Sequence, residues 1–590
     1  MFPPASFFKS HRKIAAQSVL AFAALFLFAQ PIETIAQNAT TSAQSAADPA
    51  QSAPASSQND PLVVSTTGGL IRGIARAKGG AQFLGIPYAE PPLGPLRWHA
   101  PVPHKSWTGV RDTNAFAASC SQALLGGAWN RYDHEHSSED CLFLNVITPA
   151  WPTAAKPLPV MFWIHGGANQ GGSGSGSLYN DGTLLNHGVV LVTFNYRLGI
   201  LGFFAHPELT SESPHYASGN YGLMDQILAL RWVHENIARF GGDPNNITVF
   251  GQSAGSIDTG ILMTSPLGRG LFQKAIGESG APFFPTLMSF DQAQQAGQQF
   301  AASFPALTTE SPIDLLRSVP ADDLIAKAAH FEWGIPPVGP IVDGWVVPRS
   351  PDEVFKAGKE APIPLLVGVT TREFGAGDSS DALRKSIQDY AGKFAPQALA
   401  LYGVADGGQG KNDPLYGSAG VQWSADTQFH CPVSTEALWH AAAHHSTFLY
   451  EFDHAIPGQE AQGALHSAEL PYVFGSFPTS GNISGKFGPV DVHLADLMED
   501  YWTNFAKTGD PNDGSSSLGS KKTGDPNSSG DANSADPSST ALAHWPELDA
   551  AQLYFVFTED GQGVASTSPF RAPQCDLYRE ILAVNMKHGQ

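Results

Sequence analysis

The stretch ITVFGQSAGSIDTG, residues 247–260, runs β-branched and aromatic residues into a glycine-flanked serine and then resumes apolar. Ile247, Val249 and Phe250 read as a buried strand. Gly251 and Gly255 stand two residues either side of Ser253 and permit a tight turn that larger side chains would block. Ala254 onward reads as a helix. Ser253 thus falls on a strand–turn–helix corner with its hydroxyl exposed, as in a Gly-x-Ser-x-Gly nucleophile elbow. An ordinary Gly/Ser turn can carry the same pentapeptide, so the surrounding sequence decides.

Working outward, apolar strand candidates lie at 160–165, 189–196, 247–250, 365–369, 447–452 and 553–557. Between two of them, GLMDQILALRWVHENIARF places Leu223, Ile227, Leu230 and Ile237 at helical spacing, and Gly241-Gly242 end the helix. Strands joined by helices predict an α/β architecture with a large, mostly parallel sheet covered on both faces. In such sheets chemistry collects at the C-terminal strand ends, where Ser253 sits.

The 590 residues are 42% hydrophobic and include 12 Trp and 35 Phe, enough for a substantial core. A formal charge of −21 argues against nucleic acid and anionic lipid as partners. Lys9, Arg12 and Lys13 precede an apolar run over 14–29 that Pro31 breaks, the pattern of a secretory signal peptide over 1–36. Residues 37–60, rich in Ala, Ser, Gln and Thr, read as a disordered linker, and 61–585 as the folded domain. TGDPN occurs at 508–512 and again at 523–527; the Ser/Gly/Asp-rich residues 513–541 read as a low-complexity surface insertion. No segment after the signal is expected to enter a membrane. Cys120, Cys141, Cys431 and Cys575 form an even set that favours disulfides outside the cytosol, with three pairings open. No Cys-x-x-Cys pair or Cys/His cluster suggests a metal, and none is expected.

A serine nucleophile needs a base, an acid to orient the base, and donors for an oxyanion. The apolar run VMFWI ends in His165-Gly166-Gly167-Ala168, where adjacent glycines let backbone N–H groups converge. Gly166, Gly167 and Ala254 are the expected oxyanion donors. A phosphate loop is the alternative, but its Lys-Ser/Thr ending is missing.

The chain here resembles the type-B carboxylesterases, the carboxylesterase/cholinesterase family of the α/β-hydrolase superfamily. FLGIPYAEPPLGPLRW, SEDCLFLNVITP, HGGANQGGSGSGSLY, NYRLGILGF, the long block through GQSAGS, GPIVDGW and HSAELPYVFG occur in the family's order. The resemblance implies a triad of Ser253, Glu373 and His466. Glu373 lies in TTREFGAG, where relatives usually have Asp-Glu-Gly, and Asp378 is the fallback acid. Ser467 replaces the usual glycine after His466. The pairings implied are Cys120–Cys141 and Cys431–Cys575, and Arg97 with Glu139 and Arg197 with Asp225 occupy positions of structural ion pairs.

Two departures bear on substrate. Gln252 replaces the glutamate common before the serine. Trp129 lies in the Cys120–Cys141 loop, where cholinesterase-like relatives carry a cation-stacking Trp, but Ala376 falls where they add a second aromatic. Gln252 and Trp129 are the pocket candidates, with Trp129 read first as a packing residue. The expectation is a secreted or periplasmic serine esterase acting through an acyl-enzyme on neutral short- to medium-chain esters, without a cofactor. An aromatic-ester (tannase or feruloyl-type) hydrolase and a choline esterase are the alternatives. An inactive binding protein of this fold is least favoured, because it would lack the nucleophile.

Overall fold

An unbroken apolar run whose side chains alternate faces must have both faces covered, and the central sheet follows that rule. The computed structural model describes residues 60–125, 130–153, 155–305, 311–331, 338–374, 379–512 and 542–588. Eleven strands form the sheet. In chain order they are β1 (Ile74–Ala75), β2 (Ala81–Pro87), β3 (Phe143–Thr148), β4 (Leu158–Ile164), β5 (Val190–Phe194), β6 (Gly242–Gln252), β7 (Lys274–Glu278), β8 (Leu365–Thr370), β9 (Thr447–Phe452), β10 (Phe555–Phe557) and β11 (Gly563–Ala565). Across the sheet they run β11-β10-β9-β8-β7-β6-β4-β5-β3-β2-β1. Pairing is parallel from β10 to β5. It turns antiparallel at both margins.

Within β4 the alternation is explicit. Val160, Phe162 and Ile164 join one hydrophobic core, Met161 and Trp163 the other. Helix α1 (Tyr221–Asn236) covers the first face through Leu223, Ile227 and Leu230. Helix α4 (Pro489–Thr508) covers the second through Leu494, Met498, Tyr501, Trp502 and Phe505. Between them in sequence lie α2 (Ala254–Thr264) and α3 (Cys431–Ala442), and the last helix is α5 (Ala572–His588).

The strand candidates all fall on strands of this sheet, with shifted ends. β6 starts at Gly242 rather than at 247, because its register with β4 slips between Gly242 and Ile247 and lets the polar GDPNN segment bulge out. β7 escaped the sequence reading: KAIGE begins and ends on charged residues, yet all five are buried. The segments read as signal, linker and insertion lie outside the described residues, apart from residue 60.

Both implied disulfides form, Cys120–Cys141 and Cys431–Cys575, with Cα–Cα distances of 4.9 and 4.7 Å. Arg97 pairs with Glu139 and also donates to the Leu316 and Val319 carbonyls, fastening the chain's early part to the C-terminal end of the helix Pro312–Ser318. Arg197 binds both Asp225 oxygens, at 2.8 and 2.7 Å. These buried pairs sit in the frame. Among the described residues no helix is long and apolar enough to cross a membrane.

Candidate active site

The register of three adjacent strands assembles the site. Gly251 of β6 pairs with Ile164 of β4, and Gln252 with Glu278 of β7. The chain leaving β4 at His165 therefore meets the chain leaving β6 at Ser253. Ser253 adopts φ 57°, ψ −123°, a conformation costly for a residue with a Cβ. Its amide donates to the Glu278 carbonyl and its own carbonyl starts α2 through Ile257 N. A Cβ on Gly255 would lie 2.0 Å from the Ile164 carbonyl oxygen, so helix and strand meet here only because that side chain is missing.

Glu373, just past β8, is fully buried and its Oε2 lies 2.5 Å from His466 Nδ1. Its Oε1 accepts from Ser279 Oγ at 2.7 Å and Thr370 N at 3.0 Å. Burial alone would raise this carboxyl; the His466 charge and hydrogen bond, with smaller help from His430 and Ser279, more than offset it and hold it below its ordinary value. A carboxylate at Nδ1 fixes the neutral imidazole as the Nδ1–H tautomer, which leaves the lone pair on Nε2. Phe374 and Phe429 rings flank His466 at centroid distances of 4.4 and 5.0 Å. Phe374 thus fills with an apolar wall the place where the resembled motif has glycine. Ser467 takes φ 73°, which accounts for the glycine that relatives usually have there.

His466 Nε2 is engaged by Gln252, whose Nε2 lies 3.1 Å away. Given the tautomer, the amide donates and the imidazole accepts. Among the described residues no hydrogen bond joins Ser253 Oγ to His466. Gln252, expected to line the pocket, is in contact with His466.

The loop after β4 abuts the elbow closely: a Cβ on Gly166 would lie 3.1 Å from Ser253 Cβ. Gly167 takes φ 112°, and its carbonyl accepts from the Gln170 and Gly171 amides. Gly166 and Gly167 lead this loop, and Ala254 follows Ser253 at the start of α2. Two supports hold the loop. Tyr196 Oη donates to the His165 carbonyl at 2.8 Å, and Asn169 Nδ2 donates to buried Asp258 at 3.1 Å. Burial lowers His165 to about 4, so it is a neutral packing residue stacked on Tyr196.

Ser253, Glu373, His466, Gly166, Gly167, Ala254 and Gln252 are thus brought together. Trp129, Ala376 and Asp378 lie outside the described residues. Ser279, Asn169 and Asp258 were missed from sequence; the only signal for Ser279 is its place just beyond a parallel strand.

Residues 60–577 match the model of the carboxylesterase family. Fumonisin B1 esterase of Sphingopyxis macrogoltabida is 37% identical over 472 residues, covering 78% of this chain and 84% of that protein. Human cocaine esterase is 36% identical over 536 residues, covering 84% and 87%. Among solved structures, a thermophilic PNB esterase superposes with TM-score 0.71 at 30% identity, covering 88% of this chain and all of that one.

Proposed function

The chain belongs to the carboxylesterase family and is a carboxylic ester hydrolase; from that premise we propose that Ser253 is its nucleophile, His466 its base and Glu373 the acid that orients the base. Ser253 Oγ attacks the ester carbonyl as its proton passes to His466 Nε2, and the amides of Gly166, Gly167 and Ala254 receive the oxyanion. Collapse breaks the ester C–O bond, and the alcohol leaves with the proton from His466. Water then releases the acid by the same route. The first step requires the Ser253 hydroxyl to replace the Gln252 amide as partner of Nε2. The observation that carries this reading is the buried Glu373–His466 pair beside a serine elbow at neighbouring strand ends. Ser253→Ala should abolish both ester hydrolysis and covalent labelling by an organophosphonate in a folded protein; labelling that persists would overturn the assignment.

The substrate class we favour is an uncharged ester with a short to medium acyl chain. A quaternary ammonium is held by aromatic faces with negative charge close by. Gln252 puts a neutral amide where relatives have a carboxylate, and the sequence has alanine at 376 where a second ring would help. A choline ester should therefore show no higher kcat/KM than its isosteric 3,3-dimethylbutyl ester near physiological ionic strength; a clear preference for choline would overturn the substrate reading. Two disulfides fit an oxidising compartment. Export through the signal-like residues 1–36 to the periplasm or medium is part of the proposal.

A further inference from the structure

At the N-terminal ends of β8 and β9, opposite the Ser253 site, Glu360, His440 and His445 bring three ligand atoms together. Glu360 precedes β8, His440 ends the buried face of α3, and His445 lies just before β9. Glu360 Oε1 is 2.8 Å from His440 Nδ1 and 3.2 Å from His445 Nδ1, and the two Nδ1 atoms are 3.3 Å apart. Four-coordinate zinc holds nitrogen and carboxylate oxygen at about 2.0–2.2 Å, so the edges of its tetrahedron measure roughly 3.3–3.5 Å. The two edges to His445 come close to that spacing, and the third is shorter.

Protonation sharpens the case. His440 Nε2 lies 2.8 Å from the Ile363 carbonyl, which can only accept. Nε2 therefore carries a hydrogen, which leaves Nδ1 to face the Glu360 carboxylate. Two acceptors facing each other at that distance need a proton or a cation between them. A histidine that binds zinc commonly donates its other nitrogen to a backbone carbonyl or a carboxylate. Glu360 is 2% exposed and its Oε2 has no hydrogen-bond partner. One turn before His440 on α3, Glu436 is equally buried, also with an unpartnered Oε2. Glu360 is the buried carboxylate beside two histidines that a divalent cation would neutralise.

The geometry points to a zinc-type divalent cation site formed by Glu360 Oε1, His440 Nδ1 and His445 Nδ1. Among the described residues the other cluster of this kind, His187 with Asp496 and Glu499, is built differently. Both His187 nitrogens face carboxylates, Glu499 at 3.1 Å and Asp500 at 3.0 Å. Burial would lower His187, but those bonds carry it to about 9, so it is an imidazolium in an ion pair and a poor ligand.

The six residues of β8 separate the cluster from Glu373 by roughly 17–20 Å at about 3.3 Å per residue, so the site would act on the fold rather than on the ester. The test uses the whole enzyme without a polyhistidine tag, stripped by chelator, dialysed against zinc chloride and assayed by mass spectrometry for bound metal. One zinc per chain is expected, with a rise in melting temperature. His445→Asn should weaken zinc binding at least tenfold while leaving ester hydrolysis unchanged, which shows that the variant folds. His187→Asn should keep the bound zinc. Cobalt chloride in place of zinc should give the intense visible bands of tetrahedral Co(II) in the wild type and not in His445→Asn. Absence of retained zinc in the wild type, or full retention in His445→Asn, would overturn the site.

Discussion

Replacing Glu373 by Gln keeps the shape of the side chain and forces a choice on its hydrogen bonds. Glu373 accepts on both oxygens, from His466 at 2.5 Å on one and from Ser279 and Thr370 on the other. An amide has one oxygen to offer. If its NH2 faces Ser279 and Thr370, the Ser279 hydroxyl can rotate to accept, but the buried Thr370 amide loses its acceptor, at about 1–3 kcal/mol. If the NH2 faces His466, the imidazole must accept at Nδ1 and carry its hydrogen on Nε2, and such a ring cannot take a proton from Ser253. Either orientation also removes the charge that stabilises the imidazolium. A wrongly protonated or unsupported triad base loses about 10³–10⁴ in kcat, or about 4–5.5 kcal/mol of barrier. The assay is kcat and KM on a p-nitrophenyl ester of short acyl chain, with active-site titration to count folded enzyme. KM should move little. A loss smaller than about tenfold in Glu373→Gln would refute the argument, and a large loss in Asp378→Asn would transfer the role of the acid.

Beneath the site, burial raises the Glu278 carboxyl to about 8; its Oε1 accepts from Trp502, while its Oε2 and both Glu469 oxygens have no partner. A folded-state pKa above the unfolded value of about 4.3 gives a contribution present at low pH and lost as pH rises toward the folded value. Glu278→Gln keeps the acceptor for Trp502 and cannot ionise, so its melting temperature relative to wild type should climb between pH 5 and pH 8; a fall would show the sign to be wrong. Removing the longer disulfide with Cys431→Ser and Cys575→Ser should lower stability by about 2–5 kcal/mol in urea denaturation. An unchanged midpoint would mean that packing of α5 alone secures the C-terminus.

What could be read from the sequence was what is local in it. The elbow is legible because five consecutive residues carry its steric requirement, and the glycine loop because it directly follows an apolar strand. Strands β4, β6, β8 and β9 were visible as apolar runs; β7 was hidden by Lys274 and Glu278, whose burial depends on partners far along the chain. Glu373 and His466 came from resemblance alone, since nothing in their own spacing ties them together. The contact of Gln252 with His466, the Ser279 bond to Glu373 and the Asn169–Asp258 brace each join residues dozens to hundreds of positions apart. In the Glu360–His440–His445 cluster the two histidines are five positions apart, but Glu360 lies 80 and 85 positions before them and only the fold brings it there.

Gln252 connects these points to the chemistry. Its amide and the Ser253 hydroxyl are both single donors competing for one lone pair on His466 Nε2. Exchanging one neutral hydrogen bond for another of about 0.5–1.5 kcal/mol net leaves little cost, so serine can displace the amide. The replaced charge matters more. A carboxylate at position 252 some 4 Å from an imidazolium would contribute about 4 kcal/mol at an effective dielectric near 20. A neutral amide contributes none of that, and its hydrogens repel a protonated Nε2. Stabilisation of the imidazolium therefore falls on Glu373, the carboxylate bonded to His466. On the proposed triad, the neutral side chain that argues against a cationic substrate also leaves the imidazolium to the buried Glu373.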